Sequence, residues 1–257
     1  WQDIPADGSM QAMTAAGIMG CVTSQSTFIP DPVRLQYLGH VRRDGQLVKM
    51  RDFVPPLTGG KVALGFPVLL LIGTSMSSGK TSSAKVIIRR LKRKGLRVVG
   101  AKLTGAGRYH DILAMSDAGA DCIFDFVDQG LPSTVCDEAV FRQNLRGLLA
   151  RIADAQPDVL VAEAGASPLE PYNGDAAVDE LGSSVRCTVL SASDPYAVVG
   201  VIKGFGFRPD FVSGVATSTS AGVDVINKLA GTTALNLLDP RSHPELDRIL
   251  SRQLDLG

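Results

Sequence analysis

The segment Gly73-Thr74-Ser75-Met76-Ser77-Ser78-Gly79-Lys80-Thr81-Ser82 gathers the residue types that hold a polyphosphate. Small residues let successive backbone N–H groups curl around phosphate oxygens, and a helix opening at the far end turns its positive N-terminus toward them. Lys80 supplies a cation for the β- and γ-phosphates, and the Thr81 hydroxyl is placed to ligate Mg²⁺. Nucleotide contacts are expected from Thr74, Ser75, Met76, Ser77, Ser78, Gly79, Lys80, Thr81 and Ser82. Five residues separate Gly73 from Gly79 where four are usual, so Thr74 stands where the first glycine is expected. A plain Gly/Ser turn before a capped helix would use similar residues. A Gly-Lys-Thr set between an apolar run and a helix is more specific than that.

Three further residues are placed to act on the same ligand. Glu163 follows the apolar run 159–162, so it should emerge at the carboxyl end of a buried strand, where a carboxylate can hold Mg²⁺. Its plainer reading is a strand-end acid paired with a nearby base. Lys102 closes another apolar run, 97–101, and can stabilise charge developing on a phosphoryl group. Its plainer reading is a surface lysine with a buried stem. Asp111 opens a helical stretch, where Asp also serves as an N-cap.

These residues need a parallel sheet to bring them to one edge. After residue 60, strand-like runs (68–72, 97–101, 122–127, 159–162, 187–190, 211–216, 234–238) alternate with helical stretches (80–94, 111–118, 137–155, 196–203, 223–229 and from 244). That alternation predicts an α/β fold with a mostly parallel sheet flanked by helices. Before residue 60 the runs 17–22, 35–41 and 46–50 are short and β-like, and Asp44-Gly45 is a two-residue hairpin signal. Pro55-Pro56 and Gly59-Gly60 read as a linker. The expected organisation is a small β-rich unit over 1–60 and a phosphate-binding domain over 61–257.

Composition narrows the function classes. The 26 Lys and Arg balance 26 Asp and Glu, so no overall charge draws the chain to nucleic acid or to an anionic membrane. The basic run 89–94 closes a helix, where cations are favourable, and lacks interleaved aromatics for stacking on bases. The most apolar stretch, 62–72, is 11 residues long against the roughly 20 that span a bilayer. Cys21, Cys122, Cys136 and Cys187 form no CxxC pair, and they read as core residues of a reducing compartment. No signal-peptide pattern opens the chain, which begins at Trp1 in a polar stretch, as a piece of a longer protein would. A soluble, cytoplasmic protein is expected, with neither nucleic acid nor membrane as partner.

The loop resembles that of dethiobiotin synthetase and the related cobyric-acid-synthase-like P-loop enzymes (the SIMIBI type), which share the extra residue. Gly100-Ala101-Lys102-Leu103-Thr104-Gly105, His110-Asp111-Ile112-Leu113-Ala114-Met115 and Leu160-Val161-Ala162-Glu163-Ala164-Gly165-Ala166 resemble further segments of that family in the same order. The resemblance implies ATP (GTP is possible) with Mg²⁺ shared by Thr81, Asp111 and Glu163, and Lys80 and Lys102 as catalytic cations. Thr104, Gly105, Gly107, Gly165 and Ala166 would then line an acceptor site, with Arg108 as an anion contact. It also implies a homodimer. The expected activity is phosphoryl transfer from Mg-ATP to a small acceptor such as a carboxylate. The alternative is a nucleotide-binding switch or carrier that regulates a partner and hydrolyses slowly. The family's base-reading Asn is missing from Gly214-Val215-Ala216-Thr217-Ser218-Thr219-Ser220, which leaves Thr217 or Ser218 for that task.

Overall fold

Strand β6 (Val68–Gly73) is buried at every position, as its unbroken apolar run requires, and the rest of the larger sheet is arranged around it. The computed structural model describes residues 4–55, 62–165, 167 and 170–255. Ahead of β6 lie five short strands: β1 (Ser9–Ala12), β2 (Met19–Gly20), β3 (Arg34–Gln36), β4 (Arg42–Arg43) and β5 (Gln46–Leu47). The first three form an antiparallel sheet in the order β2-β1-β3, and β4 pairs with β5. Between that last pair Asp44 and Gly45 take φ of 51° and 78°, the positive values a primed hairpin turn demands. Of residues 4–55 only Gly8 is buried, so this leading unit has no core of its own. It leans on the larger sheet: a side chain at Gly130 would come within 2.9 Å of the Arg51 backbone. The boundary expected at 60/61 lies outside the described residues, as do Pro56, Gly59 and Gly60.

The larger sheet adds β7 (Val98–Thr104), β8 (Cys122–Asp125), β9 (Val159–Ala164), β10 (Val185–Ser191) and β11 (Phe211–Ser213). All its pairings are parallel, in the order β11-β10-β6-β9-β7-β8. Helices α1 (Lys80–Arg93), α2 (Tyr109–Asp117), α3 (Glu138–Asp154), α4 (Gly174–Leu181), α5 (Pro195–Phe205), α6 (Ser220–Ala230) and α7 (His243–Gln253) connect or close the strands. One core joins Leu69, Leu71, Ile87, Leu91 and Leu250; the other joins Leu70, Leu103, Phe141, Leu148 and Val198 on the opposite face. Each fully buried Leu contributes about 1.5–3 kcal/mol.

The expected α/β class holds, with differences in detail. Residues 234–238 form no strand, because Ala234 makes a single parallel bridge to Val212 before Asn236 turns the chain. The run 122–127 stops as a strand at Asp125, whose side chain accepts from the Val127 N–H and opens a 3₁₀ turn. Likewise 211–216 ends at Ser213, since Gly214 at φ 97° breaks the strand. Helix α4 was not anticipated.

Candidate active site

The strand order decides where a ligand can sit. From β6 the chain builds β7, β8 and β9 on one side and then crosses to β10 and β11 on the other. Such a reversal opens a crevice at the carboxyl ends of the strands. Residues 74–79 run along that edge into the N-terminus of α1.

Close packing holds the loop in shape. The Thr74 N–H donates to the Ser191 carbonyl at 3.0 Å, and the Ser193 N–H donates to Thr74 Oγ1 at 3.0 Å. Ser77 and Gly79 have φ of 60° and 105°, so backbone N–H groups turn inward as in an anion-binding nest. The Val215 N–H donates to the Ser78 carbonyl at 3.1 Å, and a Cβ at Gly214 would lie 2.2 Å from that oxygen. Two glycines, 79 and 214, therefore let two loops touch backbone to backbone. The Ser78 hydroxyl is fully buried and has no hydrogen-bond partner among the described residues.

Around the loop, charges are buried and balanced. Lys80 is only 6% exposed, and its ammonium donates to the Ser75 carbonyl at 3.0 Å. Burial pulls its pKa down, while the nearby Glu163 and Glu170 carboxylates oppose that shift. The Thr81 hydroxyl donates to Glu163 Oε2 at 3.2 Å. Burial pushes the Glu163 carboxyl up, against the opposing pull of Lys80 and Lys102. In the sheet Lys102 stands in register with Glu163 on one side and Asp125 on the other. Its ammonium donates to Asp111 Oδ2 at 2.6 Å and to the Ala106 carbonyl at 2.9 Å. Asp125, beyond it, is buried, and desolvation pushes its carboxyl up to about 7.

These groups border a cavity of about 550 Å³. Met76, Ser77, Gly79, Lys80, Thr81 and Ser82 form one wall, and Lys102, Asp111 and Glu163 another. Gly105, Gly165 and Arg108 line it; Ala166 lies outside the described residues. Thr104 and Gly107 do not line it. The Thr104 hydroxyl is fully buried and donates to the Gly165 carbonyl at 2.6 Å, tying β7 to the end of β9. Gly107 packs against Pro132, its N–H donating to the Pro132 carbonyl at 3.0 Å. Asp111 does not cap α2, whose N-cap is Arg108; its carboxylate serves Lys102. Thr217 is fully buried and donates to the Gly214 and Leu235 carbonyls, which removes it as a base contact. Beside Ser218 the structure sets Asn236 instead, whose amide donates to the Ser218 carbonyl at 3.4 Å.

Several contributors went unread in the sequence. Met13, Thr14, Ala15 and Ala16, in the turn after β1, close the cavity from the leading unit. Tyr172 also lines it; His110, which the sequence already set beside Asp111 as a residue that could touch substrate, does too. Thr134 accepts from the Gly105 N–H at 2.9 Å and donates to the Tyr172 carbonyl at 2.7 Å, joining two cavity loops. Among the described residues no group of three or more His, Cys, Asp or Glu is arranged to hold a metal ion, while Thr81 and Glu163 do meet. All four cysteines are free thiols. No helix of the described residues is long and apolar enough to cross a membrane.

The sheet order and the loop between β6 and α1 together define a P-loop NTPase fold. Neither a protein-family model nor a curated protein sequence matches the chain. Among solved structures it is similar to the chloroplast FtsY of Physcomitrella patens, at 14% identity over 72% of this chain and 62% of that one, with a TM-score of 0.47. It is also similar to the 54 kDa signal recognition particle protein of Aeropyrum pernix in complex with GDP (14% identity, 79% and 50% covered, TM-score 0.45). A DUF1611 family protein of Anabaena variabilis is matched at 16% identity over 81% and 66%, with a TM-score of 0.49. The chain thus covers 62%, 50% and 66% of the lengths of these three structures, none of which is a dethiobiotin synthetase.

Proposed function

We infer that the chain is a nucleotide-responsive P-loop protein of the switch or carrier kind, binding a magnesium-complexed purine triphosphate and hydrolysing it slowly. The observation that carries this reading is the internal pairing of the ligand-binding groups. Lys80 bonds the Ser75 carbonyl, Thr81 bonds Glu163, and Lys102 bonds Asp111. A triphosphate entering the cradle competes for the first two of these contacts. Their release reaches Gly165, two residues past Glu163 at the end of β9, and through Thr104 it reaches β7. Nucleotide state is thereby coupled to loops that border solvent, which is what a switch requires.

The groups present suit Mg²⁺ with a polyphosphate: a hydroxyl beside a carboxylate, an unpartnered buried Ser78 hydroxyl, and a loop closed by glycines. Thr81 and Glu163 would hold the ion, which supplies charge neutralisation on the phosphoryl oxygens. Asp111 acts by steadying Lys102. Ser218 and Asn236 are the candidates for reading the base, and they leave ATP and GTP both open.

One observation favours the second reading, phosphoryl transfer to a small anionic acceptor. The cavity continues past the loop to Lys102, which Asp111 pairs with, and to Arg108, a guanidinium suited to a carboxylate. Assembly as a homodimer is part of the same proposal.

Titration calorimetry with Mg-ATP and Mg-GTP tests the site. At least one nucleotide should bind, and Lys80→Ala should abolish that heat while the variant stays folded. Flat traces with both nucleotides on folded protein overturn the reading. Turnover raised many-fold by small carboxylates selects the transferase; slow turnover indifferent to them selects the switch.

A further inference from the structure

On the sheet face opposite α1, a second pocket of about 220 Å³ opens at the same carboxyl edge. It shares only the Gly165 backbone with the nucleotide-side cavity among the described lining residues. Its interior is apolar: Ile72 at the end of β6, Val178 on α4, and Phe205 and Phe207 at the end of α5. Gly206 between the two phenylalanines takes φ 64°, so the chain reverses there and both rings flank the pocket.

Among the described lining residues the charged side chains, Asp175 and Asp179, are of one sign. Asp175 and Asp179 lie one helical turn apart on α4, with Val178 between them. Asp179 accepts from Arg142 at 3.1 Å, but that guanidinium also serves Glu138 and Glu180. Asp175 makes no hydrogen bond or ion pair with any described residue and is exposed. An apolar pocket whose mouth carries an uncompensated carboxylate selects against anions and favours a cation attached to an apolar body.

We propose that this pocket binds a small organic cation with an apolar body, of the aryl- or alkylammonium class. The Phe205 and Phe207 rings and Val178 cover the body, and Asp175 faces the ammonium. Nothing in this assignment depends on the nucleotide reading, because the residues belong to the other face of the sheet.

The test is a ligand-observed NMR titration of the full chain, without nucleotide, using 2-phenylethylamine and its uncharged analogue 2-phenylethanol. The amine should bind about two- to fivefold more tightly than the alcohol, the size of a solvent-facing ion pair. Asp175→Asn should remove that difference and leave alcohol binding unchanged. Val178→Trp, at a position already 37% exposed, should fill the pocket and abolish both. Absence of saturable binding, equal affinities in the parent chain, or binding that survives Val178→Trp in a variant with unchanged circular dichroism would each overturn the proposal.

Discussion

Lys102 and Asp111 form a closed pair at the edge of the sheet, 2.6 Å apart, with side chains only 6% and 17% exposed. The strand supplies the cation, the first turn of α2 supplies the anion, and the intervening turn through Gly105 brings them together. Removing one partner strands the other in a poorly hydrated site, which for a buried pair costs about 3–5 kcal/mol. Lys102→Met should therefore destabilise the fold by about 3 kcal/mol, and Asp111→Asn added to it should restore a good part of the loss. Urea denaturation of both single variants and the double variant measures this. Strict additivity would show that the pair is not coupled.

Lys80 and Glu163 separate by the kind of defect each produces. On the proposed function Lys80→Ala removes the cation set against the phosphates, so turnover should fall by more than about 100-fold, as when a single electrostatic donor is lost. Glu163→Gln keeps the shape and removes the charge. It should shift the Mg²⁺ dependence of nucleotide binding to higher concentration with folding intact. Superimposable magnesium titrations of parent and variant would deny Glu163 a metal role.

How far this site could be read in advance depended on sequence continuity. The loop from Thr74 to Ser82 is one segment, so its chemistry is visible in its order. Lys102 and Glu163 were also legible, because each ends an apolar run and a parallel sheet brings such ends together. Met13, Thr134 and Tyr172 come from segments whose local sequence carries no trace of the contact, so only tertiary packing reveals them. Thr104 was expected at the acceptor site only through the family resemblance; its bond to the Gly165 carbonyl takes it into the sheet edge instead. Helix α4 escaped notice for a different reason. It begins after Asn173 at φ 60° with no side-chain cap, so the usual start signal is missing.

Asp125 sets a pH dependence of its own. Its carboxyl titrates near 7 in the folded chain against an ordinary 3.8, with burial as the main cause. Between those values the folded state holds a proton that the unfolded chain has lost. This group therefore favours folding at low pH, and its contribution is lost as pH rises toward 7. Asp125→Asn keeps an acceptor for the Val127 N–H and removes the titration. Its stability relative to the parent should climb between about pH 4 and pH 7 and then level off, with a gain above about 1 kcal/mol at pH 8. Thermal denaturation at a series of pH values shows whether it does; a constant offset would mean Asp125 ionises normally.

Gly214 bears on the proposed nucleotide site without lying in the loop itself. Its φ of 97° is one that side-chain-bearing residues rarely adopt, and an added methyl would meet the Ser78 carbonyl at 2.2 Å and the Ala192 nitrogen at 2.9 Å. Both are backbone atoms, so no rotamer change relieves the contact. Gly214→Ala must push residues 214–215 away from the phosphate-binding loop, breaking the bond from the Val215 N–H to the Ser78 carbonyl. The loop then loses the support that keeps Ser77 and Gly79 in their positive-φ conformations. Nucleotide affinity should drop by at least about tenfold, equivalent to roughly 1.4 kcal/mol. Gly231→Ala supplies the control: it too has positive φ, 61°, but nothing lies within 4 Å of an added methyl. Both variants carry backbone strain, and only the first disturbs the loop. Calorimetric titration of the pair should thus show weakened binding for Gly214→Ala and parental binding for Gly231→Ala; equal losses would trace the effect to strain in general rather than to contact with Ser78.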